Sequence, residues 1–244
     1  MSGRPKTVFL RGTHTELGEP VAAALLARGA TVALYDPQQP ARAASLAAAL
    51  TAQGLPGRTI DLTRLTGGED GPDVPYAALR SEGLAADAVV HLYLPDASTD
   101  EAALRAYPTH LRPMLDAALS HMQQADNQGI VVNQFLMPTL FVDHPLAAAM
   151  VEARNGLTGL TRFACVKYGR AGIRTNGLLL GLLELPSLRA LATDRVKAAK
   201  TPLGRWLSVD EVAGTLVFLC LDSGYITGQS LVLDGGMTGG INGV

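Results

Sequence analysis

Short runs of continuously apolar, β-rich residues recur along this chain, and most of them lead into a longer helical stretch. The runs are KTVFL (Lys6–Leu10), ATVALYD (Ala30–Asp36), GRTIDL (Gly57–Leu62), AVVHLYL (Ala88–Leu94), GIVVNQF (Gly129–Phe135), IRTNGLLL (Ile173–Leu180) and SLVLDGG (Ser230–Gly236). Helical composition spans Glu19–Arg28, about Ala41 to Ala52, about Asp100 to Gln124, Pro145–Gly169 and about Val209 to Leu221. A strand that is apolar throughout, rather than at alternate positions, is buried on both faces. That is the condition of a parallel sheet covered by helices on each side. Repeated β-α units of this kind predict a doubly wound α/β fold, with ligands bound at the carboxyl ends of the strands. The turn-rich stretch Thr66–Pro75 is too short for a domain linker, and no internal repeat divides the chain, so residues 1–244 read as one domain.

Composition narrows the function classes. With 48% hydrophobic and 17% charged residues the chain is too apolar to be disordered. Its 20 Lys+Arg against 22 Asp+Glu, a net charge of −2, leave no cationic excess for tracking phosphates, which argues against a nucleic-acid binder. No apolar run is long enough to span a bilayer, the longest being broken by Gly181 and Glu184. The start, MSGRPKTVFL, lacks the features of a signal peptide. Cys165 and Cys220 lie in apolar stretches without metal-ligand neighbours and read as buried free thiols. The expectation is a soluble cytoplasmic protein that binds no membrane and no nucleic acid.

The first strand leads into RGTHTELG (Arg11–Gly18). A Gly-rich turn at this place lets backbone N–H groups and a helix N-terminus approach a pyrophosphate. Gly12 and Gly18 suit that role, but Glu16 stands between them, and a carboxylate opposes a phosphate by charge and by bulk. Asp36, closing the second strand, reads either as an acceptor for ribose hydroxyls or as the start of an Asp-Pro turn, and Asp61 after the third strand has the same two readings. The five histidines, His14, His91, His110, His121 and His144, show no metal-ligand spacing. Asp143-His144 is the best placed of them for an active site, with ordinary loop hydrogen bonding as the alternative.

RAGIRTNGLLLG (Arg170–Gly181), LGRWLSVDEVAGTLVFLCLDSGYITGQSLVLDGG (Leu203–Gly236) and GLTGLTR (Gly156–Arg162) resemble, in order and spacing, the short-chain dehydrogenase/reductase family. The resemblance implies a Rossmann-type fold of about seven parallel strands and, in most members, a tetramer. In such a tetramer a long helix pair forms one interface, and the last strand with the Val209–Leu221 helix forms the other. The family's chemistry uses a Tyr as general acid/base, a Lys four residues later, a Ser that polarises the carbonyl and an Asn in the preceding helix. The matching positions here hold Met150, Arg154, Leu136 and Tyr107. A thioether has no proton to transfer, and Arg does not replace Lys in a tuned relay. Thr139 is the first hydroxyl beyond the Ser position.

Cofactor positions depart in the same way. The family's Thr before the first Gly is Arg11, its central Gly is Glu16, and its Asn-Asn-Ala-Gly run is His91–Leu94. Its Pro-Gly turn is Leu180–Gly181, and the following Thr is Glu184, which adds a second negative charge. Gly12, Gly18, Asp36 and Asp61 are then vestiges of a dinucleotide site. Tyr93 and Tyr107 read either as a substitute proton donor, with a pKa near ~10, or as aromatic filling of an unused cleft. Leu185–Pro202 corresponds to the family's mobile lid; its Arg189, Arg195, Lys197 and Lys200 suit an anionic acyl thioester or a solvated helix face. The expectation is an inert subunit that binds no cofactor itself. It would support an active, NAD(P)-bearing paralogue, as in heteromeric members such as the benzylsuccinate-pathway hydroxyacyl-CoA dehydrogenase, through the small-residue helix Pro145–Gly169 and the tail Met237–Val244. The alternatives are an active oxidoreductase with unorthodox residues and a homo-oligomer whose emptied cleft holds a small apolar molecule.

Overall fold

The computed structural model describes residues 5–96, 98–137, 144–191 and 201–239. Its strands are β1 (Thr7–Arg11), β2 (Thr31–Tyr35), β3 (Arg58–Asp61), β4 (Ala88–His91), β5 (Ile130–Leu136), β6 (Arg174–Leu180) and β7 (Ser230–Leu233). They form one sheet in the order β3-β2-β1-β4-β5-β6-β7, every neighbouring pair parallel. The sequence direction reverses between β1 and β4, the switch point at which open α/β sheets bind their ligands. The helices are α1 (Gly18–Ala27), α2 (Pro40–Ala52), α3 (Leu62–Leu65), α4 (Val74–Ser81), α5 (Glu101–Gln124), α6 (Ala147–Tyr168), α7 (Pro186–Leu191) and α8 (Val209–Val217).

Both faces of the sheet are covered, as continuous apolar strands require. Val8, Leu10, Val32 and Val90 join a core with Leu25 of α1 and Leu216 of α8, while Phe9, Ala33, Val89 and Val131 pack with Tyr76 of α4, Leu119 of α5 and Ala164 of α6. The expected α/β class and its seven parallel strands are borne out.

Some boundaries move, each for a local reason. Leu92–Leu94 are not strand: β1 ends at Arg11, opposite His91, and on the β5 side the Tyr93 N–H donates to the Gln134 side-chain oxygen at 2.9 Å rather than to a strand carbonyl. β7 stops at Leu233 because the Asp234 carboxylate takes the N–H groups of Gly236 and Thr238 into a turn. Helices α3 and α4 are absent from the sequence reading. Asp61 caps α3 by accepting from the Arg64 N–H at 3.0 Å, and α4 starts with Pro75 in its first turn and buries Tyr76 and Leu79, one helical turn apart. Two prolines, Pro108 and Pro113, sit inside α5. No helix among the described residues is long and apolar enough to cross a membrane.

Candidate functional site

The carboxyl ends of β1, β2 and β4 open into a cleft of about 370 Å³. One wall is the β1–α1 turn. Gly12 is held at φ +79°, and a Cβ there would lie 2.1 Å from the Leu92 carbonyl oxygen; a Cβ at Gly18 would lie 2.1 Å from the Thr13 oxygen. Both glycines are therefore required by protein packing itself, whatever the turn binds. Glu16, between them, is exposed and accepts a hydrogen bond from the Ser187 hydroxyl of α7, so the turn is tied to the segment that follows β6. Glu19 adds a second carboxylate in the first turn of α1, where the helix dipole favours negative charge.

The sequence-predicted residues separate into those at the cleft and those in the core. Asp36 is 4% exposed; its Oδ2 accepts from the His14 backbone N–H at 3.0 Å and lies 2.6 Å from His14 Nδ1, while its own N–H donates to Thr63 Oγ1. Leu136 and Met150 are core residues at 0% and 1% exposure. Arg154 is half-buried, and its Nε is buried without a partner. Tyr107 packs tilted against Tyr93, with 4.1 Å between ring centres, and both rings stack on Phe135. Burial pushes the Tyr93 hydroxyl up to about 12 and Tyr107 higher still, so neither stays near the ordinary tyrosine value. For Tyr107, desolvation outweighs the lowering effect of nearby Arg11.

At the lid, Glu184 does not present a bare charge: it is ion-paired to Arg189, which also lies 4.1 Å from the centre of the Trp206 ring. Arg189 is thus held within α7 and its surroundings. Arg195, Lys197, Lys200, Thr139, Asp143 and residues 240–244 of the tail lie outside the described residues.

Three of the five histidines, His14, His91 and His110, line the cleft, and the other two lie elsewhere. His121 accepts from the Ala86 N–H and stacks on Tyr76; His144 Nδ1 accepts from the Leu146 N–H; His110 is exposed. Among the described residues no group of three or more His, Cys, Asp or Glu could hold a metal ion. Both cysteines are unpaired; Cys220 is buried, and desolvation pushes its thiol up to about 12, whereas Cys165 is only half-buried.

Two residues gain an unforeseen place. Arg11 and His91 are register partners on adjacent strands, and both line the cleft. His91 is buried, with Nδ1 2.9 Å from Asn133 Oδ1 and Nε2 without a partner. Burial pulls it down to about 4, so it is neutral near pH 7. The replacement of a polar family run by His91 was legible; its pairing with Arg11 across a strand register was not.

A family model described as enoyl-(acyl carrier protein) reductase matches residues 100–238. The 2-(S)-hydroxypropyl-CoM dehydrogenase 3 of Xanthobacter autotrophicus is 28% identical, the match covering 98% of this chain and 99% of that protein. The (2S)-[(R)-hydroxy(phenyl)methyl]succinyl-CoA dehydrogenase subunit BbsD of Thauera aromatica is 37% identical over 35% of this chain and 36% of its own length. With several of the curated relatives the match spans only about half of the relative's length, or less. A gluconate 5-dehydrogenase structure from Burkholderia cenocepacia, in complex with NADP and tartrate, superposes with a TM-score of 0.77 at 23% identity, covering 97% of this chain and 96% of that one, and so shares the fold. By the family model and the full-length relative, the chain belongs to the short-chain dehydrogenase/reductase family of oxidoreductases.

Proposed function

We propose that this chain is a non-catalytic subunit of a heteromeric short-chain dehydrogenase/reductase, assembled in the cytoplasm with an active paralogue that carries NAD(P) and acts on a hydroxyacyl or oxoacyl thioester. The observation that carries the reading is the burial of Leu136 and Met150, at 0% and 1% exposure, where the family places its Ser and Tyr. Neither side chain has a proton to exchange, so general acid/base work has no donor at that place. Tyr93 and Tyr107 do not replace it, because burial raises both above the ordinary tyrosine value.

The residues present do not fit a nicotinamide dinucleotide. A pyrophosphate at the start of α1 would meet the carboxylates of Glu16 and Glu19 rather than free N–H groups alone, and Glu16 is already bonded to Ser187. Asp36 spends one carboxylate oxygen on His14, and Asp61 spends one on the Arg64 N–H. Gly12 and Gly18 remain because the fold needs them, which accounts for a family-like turn without a dinucleotide.

Support for assembly comes from exposed apolar side chains on the elements that the family uses for its interfaces. Val151, Phe163 and Val166 stand out on α6, and Phe218, Tyr225 and Val232 around α8 and β7. The Thauera relative is named as one subunit of its enzyme, so a subunit arrangement is on record in a similar protein. The test is to titrate the isolated chain with NADH by nicotinamide fluorescence and to co-express it with a paralogue that keeps Tyr-x-x-x-Lys. We expect no saturable NADH signal, co-purification with the paralogue, and no turnover from the double variant Met150→Tyr, Arg154→Lys. Steady NAD(P)H-dependent turnover by the isolated chain would overturn the reading.

A further inference from the structure

We propose that the cleft at the carboxyl ends of β1, β2 and β4 binds a small planar organic acid that also carries a hydroxyl or N–H donor, held by Arg11, His91 and the Tyr93–Tyr107 wall. The inference rests on the reading that this cleft has given up its dinucleotide.

Arg11 is half-buried at the end of β1, and its guanidinium has no hydrogen-bond or ion-pair partner among the described residues. The two carboxylates lining the cleft are both engaged elsewhere. Asp36 is bonded to His14, and Asp96 accepts from the Ser98 N–H and hydroxyl and from the Thr99 hydroxyl. The Tyr35 hydroxyl is likewise committed, donating to the Glu69 carbonyl at 2.6 Å. A half-buried guanidinium without a carboxylate partner suits an oxyanion, which it takes through two parallel N–H donors.

A second, independent observation is the orphan nitrogen beside it. His91 is 2% exposed and lies opposite Arg11 in the β1–β4 register. Its Nδ1 faces Asn133 Oδ1, which only accepts, so Nδ1 carries the proton and Nε2 offers a lone pair. That Nε2 is buried and unpartnered, and His91 lines the cleft. Buried acceptors are nearly always satisfied in folded proteins, and a neutral imidazole acceptor asks for a hydroxyl or N–H from the ligand. The third part is shape. Tyr93 and Tyr107, with ring centres 4.1 Å apart and planes tilted by 34°, supply an aromatic wall, and about 370 Å³ is at the small end of the range of ~300–1,000 Å³ for small-molecule sites. Cation, acceptor and aromatic wall together select a metabolite-sized planar acid rather than the small apolar molecule expected of an emptied cleft.

The experiment is calorimetric titration of the isolated full chain with 4-hydroxybenzoate, 4-hydroxyphenylacetate and 4-hydroxycinnamate, with AMP and NADH as separate arms. We expect one-site saturable binding of at least one hydroxy acid. Arg11→Gln should weaken it about tenfold or more, Arg11→Lys should lie between, and 4-hydroxybenzyl alcohol should bind the wild type as weakly as the acid binds Arg11→Gln. His91→Phe should abolish the preference for the hydroxy acid over its analogue without the hydroxyl. Circular dichroism checks each variant's fold, and the alcohol comparison on wild-type protein stands if a variant fails to fold. Absence of binding by all three acids, or equal binding by wild type and Arg11→Gln, overturns the proposal. AMP binding with no acid binding also overturns it, in favour of a remnant nucleotide subsite. NADH binding defeats the underlying reading, whereas silence from both NADH and the acids defeats this inference alone.

Discussion

His91 shows how one substitution in this family's cofactor run changes both chemistry and stability. Its imidazole sits at the end of β4, hydrogen-bonded on one nitrogen and dry on the other, and burial holds it near pKa about 4 against the ordinary value near 6.5. A base whose folded pKa is lowered stabilises the fold fully above its unfolded value, and that contribution is lost as pH falls towards the folded one. We therefore predict that stability declines between about pH 6.5 and pH 4, by at most about 3 kcal/mol from this residue. His91→Gln should flatten the decline, as read from urea midpoints across that window. The surrounding residues were unevenly legible. Glu16, Met150 and Leu136 stood out in the sequence as departures from the family's positions, because residue type alone distinguishes a carboxylate from a glycine and a thioether from a phenol. Arg11 did not announce its role, since a lone Arg at a strand end is charged wherever it sits, and only the strand register brings it beside His91.

Among the elements, the α5–α6 pair makes a close contact between helices. A Cβ at Gly156 would come within 2.8 Å of Pro108 Cγ on α5, whereas a Cβ at Gly159 would meet nothing within 4 Å. The two small residues of one helix thus do different work. Gly156 lets α5 approach within the same chain, and Gly159 lies on the open face. Gly156→Val should cost about 1–3 kcal/mol through overpacking, while Gly159→Ala should be neutral or stabilising by up to about 1 kcal/mol. Thermal unfolding of the two variants separates these outcomes, and equal effects would mean that the helix pair is not held at Pro108. The sequence indicated close helix approach from the run of small residues, but periodicity cannot say which of them meets a neighbour and which meets solvent. The helices α3 and α4 escaped notice for a related reason: both are short, and their start signals are masked, Asp61 by the end of a strand and Pro75 by the turn-forming stretch that it closes.

For the whole molecule, the consequence is an apolar surface that remains after folding. Val166 is 82% exposed and Phe163 53%, on the solvent side of α6. Contiguous exposed apolar side chains of this kind mark contact surfaces. The double variant Phe163→Asp, Val166→Asp should leave the secondary structure intact and shift the protein to a smaller species in light scattering after size exclusion, because a buried unpaired carboxylate is expensive at an interface. An unchanged mass would show that α6 faces solvent in the assembled protein. The reading of an inert partner subunit depends on this scale, since a chain without its own proton relay needs another chain to take part in catalysis.

Sequence alone determined the doubly wound α/β class, the single sheet of parallel strands and the identity of the groups at each family position, because burial on both faces of a strand and the chemistry of a side chain are written in residue type. Tertiary structure decided which groups meet. It set Asp36 on His14, tied Glu16 to Ser187, packed Tyr93 against Tyr107 and made Arg11 the register partner of His91. Those pairings join residues from 14 to 171 positions apart in the chain, and contacts at such separations are fixed by strand order and register, which no local pattern encodes.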